Sequence, residues 1–366
     1  MQIEFNVLDR QYKEFEDEYN AAAIKVLKSG WYILGDEVEN FEKQYANYIG
    51  KKYCVGLNSG LDALILAFRA LNIGIGDEVI VPANTFIASV IGITENMATP
   101  VFVEPNEFYN IDVNKIEEKI TKNTKAILVV HLYGQAANMK KIKELADKYN
   151  LFLIEDCAQS HGANYDGKKT GSWGDIGCFS FFPTKNLGAF GDAGAVVTDN
   201  VEIFEKLKML RNYGSKIKYH NEIVGINSRL DEMQAALLNI KLKHIDELII
   251  DRKRVAQRYL NEIKNENIIL PNINSNSEHV WHLFVIRTKD RVNLKGYLSN
   301  NGITTLIHYP IPPHLSECYS NLGYHKGDFP LTEKYSEEVL SLPLYNSMTD
   351  EEIDYVINVI NNWNKK

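Results

Sequence analysis

"CFSFFPTKNLGAFGDAGAVV", residues 178–197, sets one lysine, Lys185, between an aromatic apolar run and a glycine-rich one. Lysine is seldom buried without a partner, and an uncompensated ammonium among apolar groups has its pKa pushed down. Lys185 therefore either escapes to solvent on a turn or supplies an amine for chemistry. An amine that attacks a carbonyl must be partly unprotonated near neutral pH, which desolvation achieves. Phe179, Phe181 and Phe182 are the residues that would supply a dry setting.

Working outward, "IGCFSFF" and "AGAVVTD" on either side read as short strands. So do "KYCVGLNSG", "DEVIVPANTF", "TPVFVE", "TKAILVVHLYG" and "LFLIEDCA". Residues 10–29, 35–50, 61–74 and 139–150 carry apolar residues at helical spacing. Strands alternating with helices predict a mainly parallel sheet covered on both faces. Past about residue 200 the pattern changes to a long helical tract over 228–263 and then a smaller mixed region. With 366 residues the chain is long enough for two domains, and the change is placed near 245, giving 1–245 and 246–366.

Composition excludes several classes. A net charge of −8 disfavours a nucleic-acid role. No apolar run reaches the ~18 residues of a membrane helix, and the acidic N-terminus does not read as a secretory signal. Cys54, Cys157, Cys178 and Cys318 are scattered with no CxxC pair, so neither a zinc site nor a disulfide framework is expected. A cytoplasmic protein without metal, membrane or nucleic acid is the expectation.

In a parallel sheet, ligands sit at the carboxyl ends of the strands. Ser59 and Gly60 open a helix there, either as a tight turn or as a phosphate site on free N–H groups. Phe86 is either a core aromatic or a stacking platform. Glu155 and Asp156 end an apolar strand, and only one of two adjacent strand residues can point into a given cleft. Asp156 is then either a helix cap or the partner of a buried cation. No GxxxxGK[ST] or GxGxxG occurs, so Walker and Rossmann phosphate binding lack support.

The sequence resembles the sugar-nucleotide aminotransferases of the DegT/StrS family. The matching stretches are "SGLDAL" (59–64), "VPANTF" (81–86), "HLYGQ" (131–135), "EDCAQSHGA" (155–163), "GDIGCFSFFPTKNLGAFGDAGAVVT" (174–198), "GINSRLDEMQAA" (225–236) and "HYPIPPH" (308–314), in the family's order. The resemblance implies the aspartate-aminotransferase fold (fold type I). That is an α/β fold with a mainly parallel seven-stranded sheet between helices, plus a smaller α/β C-terminal domain. It implies pyridoxal 5′-phosphate held by Lys185 as a Schiff base. Asp156 would pair with the ring nitrogen, Gln159 with the ring oxygen, and Phe86 would lie on the ring face. The phosphate would take the N–H groups of Gly60 and Leu61, the hydroxyl of Ser180, and Asn227 from a second subunit, implying a homodimer with shared sites. Position 61 is often threonine or serine in the family; here Leu61 leaves only backbone.

The resemblance further implies transfer of an amino group from L-glutamate to a dTDP-linked 3-keto-6-deoxyhexose. Amination of a 4-keto sugar and a non-catalytic sugar-nucleotide-binding role are the alternatives. The resemblance also implies a product that enters lipopolysaccharide or S-layer glycans. Arg229 would meet the glutamate carboxylate, or else pair with Asp231 or Glu232. "RNYGSKIKYHN" (211–221) reads either as a substrate loop, in which Arg211, Lys216 and Lys218 meet a diphosphate beside Tyr213 and Tyr219, or as an ordinary solvated connection. His308 and Tyr309 are candidates for sugar contact, and His161 is a weaker candidate.

Overall fold

A computed structural model describes residues 1–364. Two helices open the chain, α1 (Leu8–Glu14) and α2 (Glu16–Ser29), where the sequence predicts one. The break falls at Phe15, whose ring stacks on His244 at 4.1 Å. In α3 (Asp36–Ile49) Val38, Phe41, Tyr45 and Ile49 form the buried stripe of an amphipathic helix. The Glu232 carboxylate accepts from the N–H groups of Gly35, Glu37 and Val38 at 2.8–2.9 Å, where the helix dipole favours an anion.

Seven strands form one sheet: β1 (Tyr53–Leu57), β2 (Glu78–Pro82), β3 (Thr99–Val103), β4 (Thr124–Val130), β5 (Phe152–Asp156), β6 (Ile176–Ser180) and β7 (Gly194–Thr198). Their spatial order is β1-β7-β6-β5-β4-β2-β3. The pairs β2/β3, β2/β4, β4/β5 and β5/β6 are parallel. Strand β7 runs antiparallel to both β6 and β1. A parallel return needs a crossover, usually helical. Residues 181–193 contain Pro183, Gly188 and Gly191 and no helix, so the chain turns straight back.

Helices α4 (Gly60–Ala70), α5 (Ile87–Thr94), α6 (Met139–Tyr149) and α7 (Val201–Leu210) cover the sheet. One face buries Leu64, Phe68 and Val90 with Val81 and Leu128; the other buries Ile127 and Val129 with Met139 and Ile142. The expected α/β fold with a mainly parallel seven-stranded sheet is present.

The tract predicted as one helix over 228–263 is two, α8 (Glu232–Lys243) and α9 (Ile245–Glu262). The break is at His244, stacked on Phe15 with Nε2 3.0 Å from Glu18. Beyond it a two-stranded antiparallel sheet, β8 (Phe284–Arg287) and β9 (Val339–Leu342), packs with α10 (Arg291–Asn300), α11 (Pro330–Glu338) and α12 (Asp350–Asn361). This second core joins Tyr259, Phe284, Leu294, Leu340 and Ile353, and it also takes Ile3 from the start of the chain. Among the described residues, no helix is long and apolar enough to cross a membrane. Cys54, Cys157, Cys178 and Cys318 are all free.

Candidate active site

Strand β5 sorts its two carboxylates by alternation. Glu155 turns to one face, wholly buried, and accepts from the N–H groups of Gly171, Trp173 and Gly174 at 2.7–2.8 Å and from His131 Nε2 at 3.0 Å. Burial alone would raise its pKa, but the His131 bond and the backbone donors hold it below the usual value. His131 Nδ1 in turn accepts from Ala137 N–H at 3.1 Å. Every donor here is used to hold loop 170–174 against the sheet. The cluster of His131, Glu155 and Cys157 is therefore a structural knot.

Asp156 turns to the other face. Its carboxylate accepts from Ser89 Oγ at 2.8 Å and from Ala158 N–H at 3.1 Å. It caps no helix. Burial raises its pKa, and only those bonds and the charges of Lys185 and His131 oppose the rise. Among the described residues no cation pairs with it directly, so one more positive group is electrostatically welcome.

Lys185 sits on the loop between β6 and β7, half-buried. Burial pushes its amine down to about 8, with Asp156 pulling the other way. Lys185 does lie on a turn, its N–H closing on Phe182 O at 2.8 Å, with the residue only partly exposed. The loop is anchored at its base by aromatic packing. Phe181 meets Phe41 and Tyr45 edge to face at 5.3 and 5.2 Å, and Phe179 meets Tyr45 at 5.0 Å. Phe182 is not part of that wall, because it is half-exposed at 49 %.

Between Phe179 and Phe181, Ser180 faces the opposite way, towards the first turn of α4. A Cβ on Gly60 would collide with the Ser180 side chain, so only glycine lets the two backbones approach. Gly60 and Leu61 are the first two residues of α4, and their N–H groups have no acceptor inside the helix. Ser59 Oγ caps Asp62 N–H at 3.1 Å. These residues make a compact anion cradle at the carboxyl end of β1 and β6.

Gln159 accepts from Tyr133 N–H at 2.7 Å and donates to the Tyr309 hydroxyl at 2.9 Å. The Tyr309 and Phe86 rings lie 5.0 Å apart, and Phe86 is 48 % exposed, so it faces the cleft rather than the core. His308 Nδ1 is 2.8 Å from Ser341 Oγ, and its carbonyl accepts from the Tyr133 hydroxyl. Burial and then Lys185 push His308 down to about 4. His161 is buried with both ring nitrogens unpartnered and is pushed down to about 3 by burial, Lys185 and Lys241.

The substrate-loop expectation needs a correction. Arg211 is buried, bonded to Glu42 and, at 2.9 Å, to the Gly56 carbonyl, so it is a structural ion pair rather than a free cation. Lys216, Lys218 and Tyr219 remain on an exposed hairpin, with Tyr219 85 % exposed. Arg229 pairs with neither Asp231 nor Glu232. It donates to Asn212 Oδ1 at 3.1 Å and lies 5.6 Å over the Tyr213 ring, its Nε unpartnered. Asn227 is exposed and its backbone is bridged to Asn212. A cavity of about 900 Å³ lies elsewhere, among Lys25, Trp31, Glu42 and Phe204.

Ser89 and Tyr133, which hold Asp156 and Gln159, are not singled out by the sequence. Ser89 sits inside the apolar helix α5, with no local signal of its partner on β5.

The donor set fits pyridoxal 5′-phosphate. Asp156 lacks a cation, Lys185 is desolvated, and the Gly60–Ser180 approach cradles an anion. A fold and site of this kind fit a pyridoxal-phosphate enzyme built on a mainly parallel α/β sheet. The model of the DegT/DnrJ/EryC1/StrS aminotransferase family matches residues 13–361, and the chain belongs to that family. A dTDP-3-amino-3,6-dideoxy-alpha-D-galactopyranose transaminase from Aneurinibacillus thermoaerophilus is 53 % identical over 350 residues, 95 % of this chain and 96 % of the relative. The crystal structure of DesV from S. venezuelae in complex with a ketimine intermediate matches with a TM-score of 0.97 at 46 % identity, covering 99 % of this chain and 98 % of that one. NtdA from Bacillus subtilis with bound cofactor PMP matches with a TM-score of 0.91 at 34 % identity, covering 98 % and 84 %. The expectations of family, of an aminotransferase and of pyridoxal phosphate are borne out.

Proposed function

We propose that the protein transfers the amino group of L-glutamate to C3 of a dTDP-linked 3-keto-6-deoxyhexose. The observation that carries this reading is the half-buried Lys185 amine, pushed down to about 8, facing the under-compensated Asp156. It occurs in a chain 53 % identical to a dTDP-3-amino-sugar transaminase.

Pyridoxal phosphate, when bound, supplies a ring that takes up the electron pair released at the substrate carbon. Lys185 would hold it, and its amine would carry a proton to and from the reacting carbon. Asp156 would keep the ring nitrogen protonated, Gln159 Nε2 would donate to the ring oxygen, and Phe86 would cover one face. Gly60 and Leu61 N–H and the Ser180 hydroxyl would hold the phosphate, with Asn227 reaching in from a second copy.

Arg229 takes the glutamate carboxylate. Lys216 and Tyr219 meet the nucleotide, and His308 and Tyr309 the sugar. A cytoplasmic homodimer is part of the same reading. The support for a dimer is the exposed apolar run Trp31, Tyr32 and Ile33, since contiguous exposed apolar residues mark interaction surfaces. The division into 1–245 and 246–366 is proposed with it, on the separate C-terminal core.

The test is turnover of purified protein with L-glutamate and a panel of keto sugars. Formation of 2-oxoglutarate with a 3-amino product is expected. Success only on 4-keto sugars overturns the C3 assignment, and failure to turn yellow with added pyridoxal phosphate overturns the whole reading.

A further inference from the structure

Near Lys185 lie two buried cations, Lys241 and Arg252, that the proposed chemistry does not use. Lys241 on α8 is 2 % exposed. Its Nζ donates to Gly188 O at 3.0 Å and to Gln11 Oε1 at 2.5 Å, and among the described residues no carboxylate lies within ion-pair distance. Arg252 on α9 is also buried, donating to the carbonyls of Trp281, His282 and Leu344 at 2.7–3.0 Å. Gln11, Thr184, Lys185, Arg252 and Asn346 line a pocket of about 10 Å³, close to the space of one water.

Buried charge held without a counter-ion is costly, so a retained one should serve position rather than stability. The loop geometry says what is positioned. Ala189 N–H closes on Phe181 O at 2.7 Å, and Lys185 N–H closes on Phe182 O at 2.8 Å. Asn186 Nδ2 ties one side to Val280 O at 2.9 Å. A Cβ on Gly188 would collide with Pro183 O, so the two limbs touch there. The carbonyl of Gly188 is the one that Lys241 holds. Moving Gly188 therefore moves Pro183, two residues before Lys185.

We propose that Lys241 is a positioning residue for Lys185: by holding Gly188 O it keeps the loop limbs together and the Lys185 amine turned inward, away from water. The inference rests on the proposed role of Lys185 as amine, but its test is chosen to separate the two. The charged and titratable groups around this pair are Asp156 on β5, His161 after it, Arg252 on α9, and His282 and His308 from the C-terminal region. Burial and Arg252 push Lys241 itself down to about 7.

The experiment is a pH titration of the visible band of protein loaded with pyridoxal phosphate, in wild type, Lys241→Met and Gln11→Leu. A slack loop lets the Lys185 nitrogen reach water, which favours its charged form, so the midpoint in Lys241→Met should rise by about one pH unit. Gln11→Leu removes the other acceptor of Lys241, which favours the neutral amine, a weaker donor to Gly188 O, and should shift the midpoint the same way, by less. A wild-type midpoint in both variants overturns the proposal, and Gln11→Leu decides alone if Lys241→Met does not fold. Should the wild type take up no pyridoxal phosphate, the functional reading fails. The same three proteins are then compared by trace acetylation of Lys185 across pH, where the positioning role still requires the same upward shift.

Discussion

The two faces of the sheet at the end of β5 solve one problem in opposite ways. On one, Glu155 accepts four hydrogen bonds and its pKa falls; on the other, Asp156 accepts two and its pKa rises. Both carboxylates are buried, one residue apart, on the same strand. The complete one holds a loop. The incomplete one keeps an electrostatic vacancy that only a cation or proton fills, and the depressed Lys185 stands across from it. Buried charge by itself does not mark chemistry; buried charge left partly unpaired, beside a second perturbed group, does.

The largest effect that can break this contrast is at Lys185. Lys185→Ala should lower kcat by at least ~10³-fold, since it removes both anchor and proton carrier. Initial rates of 2-oxoglutarate release measure it, and a loss under tenfold would remove Lys185 from the chemistry.

The paired carboxylates give a sharper comparison. Asp156→Asn should cost roughly 10²-fold in kcat, the scale of losing one preorganised electrostatic group, with little change in melting. Glu155→Gln should do the reverse. An amide cannot accept at both heads, so it faces the Gly171, Trp173 or Gly174 N–H with a donor and loses about 2–3 kcal/mol. Denaturant unfolding and cofactor uptake, run on both variants, decide it. Equal destabilisation by the two changes would erase the distinction.

A third test uses pH. The Lys185 amine titrates at about 8 in the folded chain against 10.5 as its ordinary value. Between those values the unfolded chain holds the extra proton, so this group makes stability rise with pH, and below about 8 its cost is constant. In cofactor-free protein, Lys185→Met should be more stable than wild type by up to about 3 kcal/mol at pH 7. That advantage should shrink from pH 8 and vanish near 10.5. A constant difference across that range would mean the amine is not desolvated.

How far the sequence could be read follows the same division between local and distant causes. All seven sheet strands were visible as apolar runs, because a parallel sheet buried on both faces needs them. Lys185, Asp156, Gln159 and Gly60 lie at or just after strand ends, where topology directs attention. The reversal of β7 was also legible, in a connection too rich in proline and glycine for a crossover helix, yet it was not drawn. Ser89, Lys241 and Gln11 were not legible. Each meets the site from an element remote in sequence, and nothing local distinguishes Lys241 from the exposed Lys243 two residues on. Arg211 misled for the same reason, because its partner Glu42 is 169 residues away. The breaks at Phe15 and His244 are one event, two stacked rings that no helical periodicity foretells.

The smallest expected effect concerns the exposed hairpin, and it tests whether the sorting of charges extends to the surface. Lys216 and Tyr219 form no ion pair or side-chain hydrogen bond among the described residues, and both side chains stand in solvent. Lys218 lies 5.1 Å over the Tyr219 ring, a contact too exposed to fix either group. Substitution there should leave stability within about 0.5 kcal/mol, as surface changes do. If the hairpin meets the nucleotide, the energy it contributes is shared by ground and transition states, so Lys216→Ala should raise KM for the sugar nucleotide with kcat unchanged. About 1 kcal/mol for a screened phosphate contact corresponds to roughly fivefold. Raising the salt concentration should compress that ratio, because exposed charges are screened within about 10 Å at 0.1 M. A KM that neither Lys216→Ala nor Tyr219→Ala moves would confine the recognition of substrate to the buried cleft around Tyr309 and His308.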